Sequence, residues 1–129
     1  MNKPVPRITT VNAEYFAAAA RGELHVRQCH NCGARFRPLS AWCPACFSPK
    51  IGWLRASGRA IVTHFTVVHQ PPTEAFETPY VLALVDLEEG VRMMTNIVNC
   101  ATDSVFIGMK VNVTFQAREN VVLPMFEPR

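Results

Sequence analysis

No run of apolar residues in this 129-residue sequence approaches the roughly 18 needed to cross a bilayer, so no membrane partner is expected. The opening stretch, Met1-Asn-Lys-Pro-Val-Pro-Arg-Ile, has a lysine and an arginine but no apolar core. No secretory signal is read there, and the expected location is the cytoplasm. GxGxxG, P-loop and GxSxG motifs are all missing, which removes the sequence signatures of dinucleotide-binding, phosphate-cradling and serine-nucleophile sites. Histidine is scarce: only His25, His30, His64 and His69 occur. His64 and His69 lie an odd number of residues apart, on opposite faces of any strand that holds both, so a shared metal or proton-transfer role is not expected. With no catalytic constellation in view, the sequence predicts a chain without independent catalysis.

Cysteine is the exception to this sparseness. Cys29 and Cys32 form one CxxC pair and Cys43 and Cys46 a second, ten residues further on. Four thiolates complete a tetrahedral zinc, and the two-residue gap in each pair lets one tight turn aim two sulfurs at a common point. Gly33 follows the first pair, where a residue without Cβ can take positive φ and bend the chain around the metal. Pro44 stiffens the turn inside the second. A secreted disulfide framework and a thioredoxin-like redox motif lack their contexts. A c-type haem needs histidine where Gly33 and Phe47 stand. One structural zinc is therefore expected, with all four positions filled by sulfur and none left for water or substrate. His30 lies inside the first pair and is not expected to replace a cysteine. Cys100 stands apart and is expected as a buried, inert thiol.

The net charge of +3 is unevenly spread. Residues 21–59 carry seven basic side chains against Glu23 alone, whereas residues 60–129 carry four basic against eight acidic ones. A zinc with four thiolates contributes −2, which leaves the ribbon segment moderately basic. Such a face suits nucleotide-like phosphates, a nucleic acid or an acidic protein.

The pattern along the chain predicts a mainly β fold. Asn12 is an N-cap candidate for a short helix through Ala20, with Arg21 in the last turn and Gly22 as its stop. Tyr15 and Phe16 give that helix an aromatic anchor. Residues 23–28 alternate as a strand, and residues 47–52 read as a loop. Trp53 to His69 reads as one long strand, with Ser57-Gly58 placed for a bulge or bend. After a loop, residues 80–87 and 91–98 form a hairpin across Glu88-Glu89-Gly90, whose acidic side chains are expected to be solvated. A helical turn within residues 101–108 precedes two more strands, 111–115 and 121–126. Five strands with a helical element between the third and fourth give an OB-fold barrel; an Ig-like sandwich calls for about seven. Three segments follow: a helical one at 1–22, a zinc ribbon at 23–52 and the barrel at 53–129, with the modules packed together.

The knuckles "CHNCG" and "WCPAC", the "SGRA" leading into a long strand, the hairpin "TPYVLALVDLEEGVRMMTNI" and "IGMKVNVTF" together resemble the DUF35 family over roughly residues 12 to 126. The resemblance implies an OB-fold protein with a rubredoxin-like zinc ribbon. It further implies a non-catalytic accessory subunit that binds or channels acyl-CoA beside a thiolase-superfamily enzyme, such as an acyltransferase, a thiolase or a lipid-transfer-protein-like aldolase. A groove between ribbon and barrel would suit the pantetheine arm, with Lys50, Arg55 and Arg59 at its rim and Phe36, Trp42 and Trp53 lining it. Two other readings stay open: a single-stranded nucleic-acid binder, and a purely structural scaffold of an enzyme complex. The acidic barrel disfavours nucleic acid, because its second and third strands carry only Arg92 and a terminal Tyr80.

Overall fold

A computed structural model describes residues 3–38 and 40–129 of the chain. Met1 and Asn2, included in the expected helical segment, lie outside the described residues. The chain runs α1 (Ala13–Ala20), β1 (His25–Cys29), β2 (Arg35–Phe36), β3 (Ile51–Arg55), β4 (Arg59–Val68), β5 (Tyr80–Leu87), β6 (Arg92–Ile97), a 3-10 turn (Thr102–Ser104), β7 (Lys110–Arg118) and β8 (Val121–Pro128).

Helix α1 ends in a Schellman motif. Gly22, at φ +79°, lets its N–H reach Ala19 O while the Glu23 N–H reaches Ala18 O. Its start departs from expectation: Asn12 occupies the cap position but makes no side-chain cap bond. The Asn12 Oδ1 instead accepts from the Thr9 N–H at 2.7 Å, tying down the incoming chain. Ala18 and Ala19 are buried, and their small side chains seat the helix against β8 and β1.

The ribbon is a three-stranded sheet in the order β2-β1-β3, and β4-β5-β6-β8-β7 close into a barrel. In barrel numbering that order is 1-2-3-5-4, with the third and fifth strands parallel, and the 3-10 turn lies between the third and fourth: an OB-fold. β5 alternates strictly, with Val81, Ala83, Val85 and Leu87 facing inward. Leu24 and Val26 of the ribbon enter the same core, so the two sheets share apolar contacts. Burying each such side chain contributes about 1.5–3 kcal/mol.

The expected long strand from Trp53 to His69 is corrected to two strands in different sheets. β3 starts at Ile51, within the residues read as a loop, and pairs with β1. The chain then bends at Ala56–Gly58 before β4 enters the barrel. The register shift itself falls between Val62 and His64, where Thr63 is the extra residue and its Oγ1 donates to Leu84 O at 3.1 Å. Gly58 is at φ +86°, and a Cβ there would stand 2.6 Å from Val113 Cγ1. Gly58→Ala is therefore expected to cost about 2–3 kcal/mol, through left-handed backbone strain and crowding of β7, measured by urea denaturation.

The acidic hairpin tip is not merely solvated. Glu88 receives a bidentate pair from Arg59 at 2.7 and 3.0 Å and the Ser57 hydroxyl at 3.1 Å, while Glu89 Oε2 accepts the Ser57 N–H at 2.9 Å. These carboxylates clamp the bend that carries the chain from ribbon to barrel. The Arg59 hydrogen bond holds the Glu88 carboxyl below its usual value. A lowered folded-state pKa means the contribution is present above the unfolded value and is lost as pH falls through the folded one. Thermal melts across pH should thus show a difference between wild type and Arg59→Ala at pH 7 that closes in acid.

Candidate metal centre and ribbon–barrel groove

The two knuckles are built alike. In the first, the Gly33 N–H bonds Cys29 O; in the second, the Phe47 N–H bonds Cys43 O. Each turn thereby returns its second cysteine toward the first. All four sulfurs lie within 4.8 Å of one another, with Cys29 Sγ to Cys46 Sγ at 3.7 Å and Cys32 Sγ to Cys43 Sγ at 3.6 Å. A tetrahedron with metal–sulfur bonds of about 2.3 Å has edges of about 3.8 Å, so the sulfurs stand at ligand spacing. None is in a disulfide.

The surrounding donors suit thiolates. The N–H groups of Asn31 and Cys32 point at Cys29 Sγ from 3.3 and 3.4 Å, that of Ala45 at Cys43 Sγ from 3.4 Å, and the Asn31 side-chain amide at Cys46 Sγ from 3.5 Å. The Asn31 amide, with the Ser48 backbone, lowers the Cys46 thiol to about 6, and the Cys32 and Asn31 N–H groups lower that of Cys29, while the contact with the Cys43 sulfur pushes the Cys32 thiol the other way, up to about 12. The donor set therefore fits a divalent metal of thiophilic character. Cys29 and Cys43 are buried with Phe36 in a small core of their own. Cys100 is half-buried against the barrel core, not fully enclosed.

A groove of about 220 Å³ opens where α1, the ribbon and the barrel meet. Tyr15 and Phe16 of α1, His25 of β1, Arg37 and Pro38 after β2, and Met93 and Met94 of β6 line it. Burial pushes the Tyr15 phenol up to about 12. His25 Nε2 lies 3.0 Å from Glu23 Oε1, while its buried Nδ1 has no hydrogen-bond partner among the described residues. The groove continues along β6 and β8 into a second hollow of about 280 Å³ that ends at Phe76 and Arg118.

None of the residues expected to line or rim a ribbon–barrel groove lines this one. Phe36 is in the knuckle core. Trp53 lies under the Arg27 guanidinium, 4.1 Å from the ring centroid, and Arg27 also donates to Gly52 O at 3.2 Å. Burial lowers the pKa of Arg27. Arg55 and Arg59 share a separate crevice with Glu23 and Glu89, and Arg59 is ion-paired. Lys50 and Trp42 are exposed on the ribbon. The groove residues carried a weaker signal: adjacent Met93 and Met94 in a strand cannot both face a core, and Met94 is 61% exposed.

A four-sulfur ribbon joined through a shared core to a five-stranded OB barrel defines a zinc-ribbon/OB-fold protein. Two family models match in tandem: the ChsH2 rubredoxin-like zinc ribbon domain over residues 16–52 and the ChsH2 C-terminal OB-fold domain over residues 53–116. The chain is 39% identical to a probable enoyl-CoA hydratase alpha subunit of Thermomonospora curvata, over 98% of this chain and 40% of that protein. It is 38% identical to a DUF35 domain-containing scaffold protein of Methanocaldococcus jannaschii, over 69% of this chain and 64% of that one. It thus spans less than two thirds of the length of either relative. A solved chain of an Ltp2-ChsH2(DUF35) aldolase superposes with a TM-score of 0.87 at 38% identity, over 96% of this chain and 98% of that one. The chain belongs to the DUF35 family.

Proposed function

We propose that this chain is a non-catalytic accessory subunit that supports an acyl-CoA-processing enzyme of the thiolase superfamily. The observation that carries the reading is the near end-to-end match to a chain of a DUF35-containing aldolase. The name of the Methanocaldococcus jannaschii relative, a scaffold protein, points the same way, whereas that of the Thermomonospora curvata relative, a hydratase alpha subunit matched over 40% of its length, belongs to a different acyl-CoA reaction.

In this reading Cys29, Cys32, Cys43 and Cys46 hold one zinc ion that fixes the ribbon fold and takes no part in chemistry. The groove beneath α1 takes the thin, mainly apolar acyl or pantetheine portion of an acyl-CoA, with Arg37 as the cation at its mouth. Elemental analysis should return one zinc per chain. Calorimetric titration of CoA and of a long-chain acyl-CoA onto the isolated chain should give saturable binding that weakens in Met93→Glu. Absence of binding would leave the scaffold role and remove the ligand role; turnover of the thioester by the chain alone would overturn the non-catalytic reading.

A further inference from the structure

The two knuckles differ at one matched position. The residue after the second cysteine takes left-handed φ in both, +79° at Gly33 and +63° at Phe47. Glycine meets that demand without penalty, whereas a residue with a Cβ adopts it at a cost. Phe47 gains no compensating burial, since it is 74% exposed. Trp42, next to Cys43 at the other end of the same knuckle, is 53% exposed. A strained, exposed aromatic where its matched position has glycine is a feature the fold itself does not require.

The charge along this segment has one sign. From Leu24 to Arg55 there are five basic residues and no acidic one. Arg35, between the cysteine pairs, and Lys50, three residues beyond Phe47, are both exposed. A divalent ion among four thiolates adds −2, which leaves the segment positive.

We propose that the second knuckle is a docking plug: Trp42 and Phe47 insert into an apolar hollow on the enzyme subunit, and Arg35 and Lys50 meet an acidic rim around it. The inference rests on the accessory-subunit reading. Of the four, Trp42 and Arg35 are of the residue types that dominate binding energy at protein interfaces, and Phe47 is of a type enriched in their buried centres. The rim charges steer encounter and give the complex its salt dependence.

Phe47→Gly separates docking from folding. It removes the aromatic and relieves the backbone, so stability and binding should move in opposite directions. The zinc-loaded variant is expected to melt on the order of 3–5 °C higher than wild type. Its affinity for a purified thiolase-superfamily subunit that binds wild type should fall at least tenfold, or about 1.4 kcal/mol. Trp42→Ala should weaken binding similarly with zinc content unchanged, and Arg35→Glu with Lys50→Glu should slow association and flatten its salt dependence. If the subunit binds wild type and all these variants equally, the plug is refuted and the accessory reading stands. If no thiolase-superfamily subunit binds wild type, both fall. A wild-type dimer in light scattering that Phe47→Gly dissociates would assign the knuckle to a second copy instead. Tight binding of a fluorescein-labelled oligo-dT lost in Trp42→Ala would assign it to single-stranded nucleic acid.

Discussion

Cys43→Ser is expected to abolish the ribbon. Cys43 is fully buried and its sulfur stands 3.6 Å from that of Cys32, so serine leaves three thiolates and a small hydroxyl in place of a closed site. Structural zinc contributes about 10–16 kcal/mol to folding in small metal-binding peptides at neutral pH, comparable with or above the whole stability of a typical domain. The ribbon core is otherwise slight, Cys29, Phe36 and Cys43 with a few half-buried neighbours, and cannot replace that contribution. Both tryptophans, Trp42 and Trp53, lie in this half of the chain, so their fluorescence and near-UV circular dichroism report on the ribbon selectively. The variant should lose its metal and show solvated tryptophan emission. Barrel stability should drop as well, because Leu24 and Val26 leave the shared core. Retention of one zinc per chain with an unchanged tryptophan spectrum would contradict the assignment.

Phe126→Ala should have the largest effect within the barrel. Phe126 is fully buried and is placed where the barrel closes: it pairs with Val113 across β7 and with Ile97 across the parallel contact to β6. Its carbonyl also accepts the Val98 N–H at 2.8 Å. Truncation leaves a cavity that a closed barrel cannot collapse around, for which about 3–5 kcal/mol is expected. In a chain of this size that lowers the melting temperature by on the order of 10–20 °C. Phe106→Ala, at a position 58% exposed, is the matched control and should change stability little. Because Phe126 lies outside the knuckle core, zinc content should stay at one per chain under native conditions.

The parts of this structure written in local spacing were legible in the sequence. Two CxxC pairs announce a four-sulfur centre because the chemistry needs those atoms at that interval. The alternation through Tyr80–Leu87 announces a half-buried strand for a similar reason, and the order of strands and one helical turn was enough for the barrel. Partnering between distant segments was not legible. The β-rich run from Trp53 onward looks continuous, yet β3 pairs with β1 and β4 with β5 and β7, and composition does not record which sheet a strand joins. The Arg59–Glu88 clamp bridges 29 positions, so neither residue carries a local mark of the other. Asn12 has the chemistry of a helix cap, but its side-chain oxygen accepts from the Thr9 N–H and its amide donates to Arg7 O, both in the preceding chain. At the site, the four cysteines were readable from spacing, whereas the groove arises from where α1 lands on β1 and β8. The left-handed backbone at Phe47 is readable by aligning the two knuckles on their cysteines, since its counterpart is Gly33.

The most direct test of the accessory role is the mass and activity of a reconstituted complex. The zinc-loaded chain would be co-expressed with thiolase-superfamily subunits from its own genome and examined by size exclusion with light scattering, alongside acyl-CoA turnover by each component and by the mixture. Co-elution at a defined stoichiometry is predicted, with turnover by the enzyme subunit raised or made possible by this chain and none by this chain alone. A chain that elutes alone beside every such subunit, or that turns over the thioester unaided, would contradict the account.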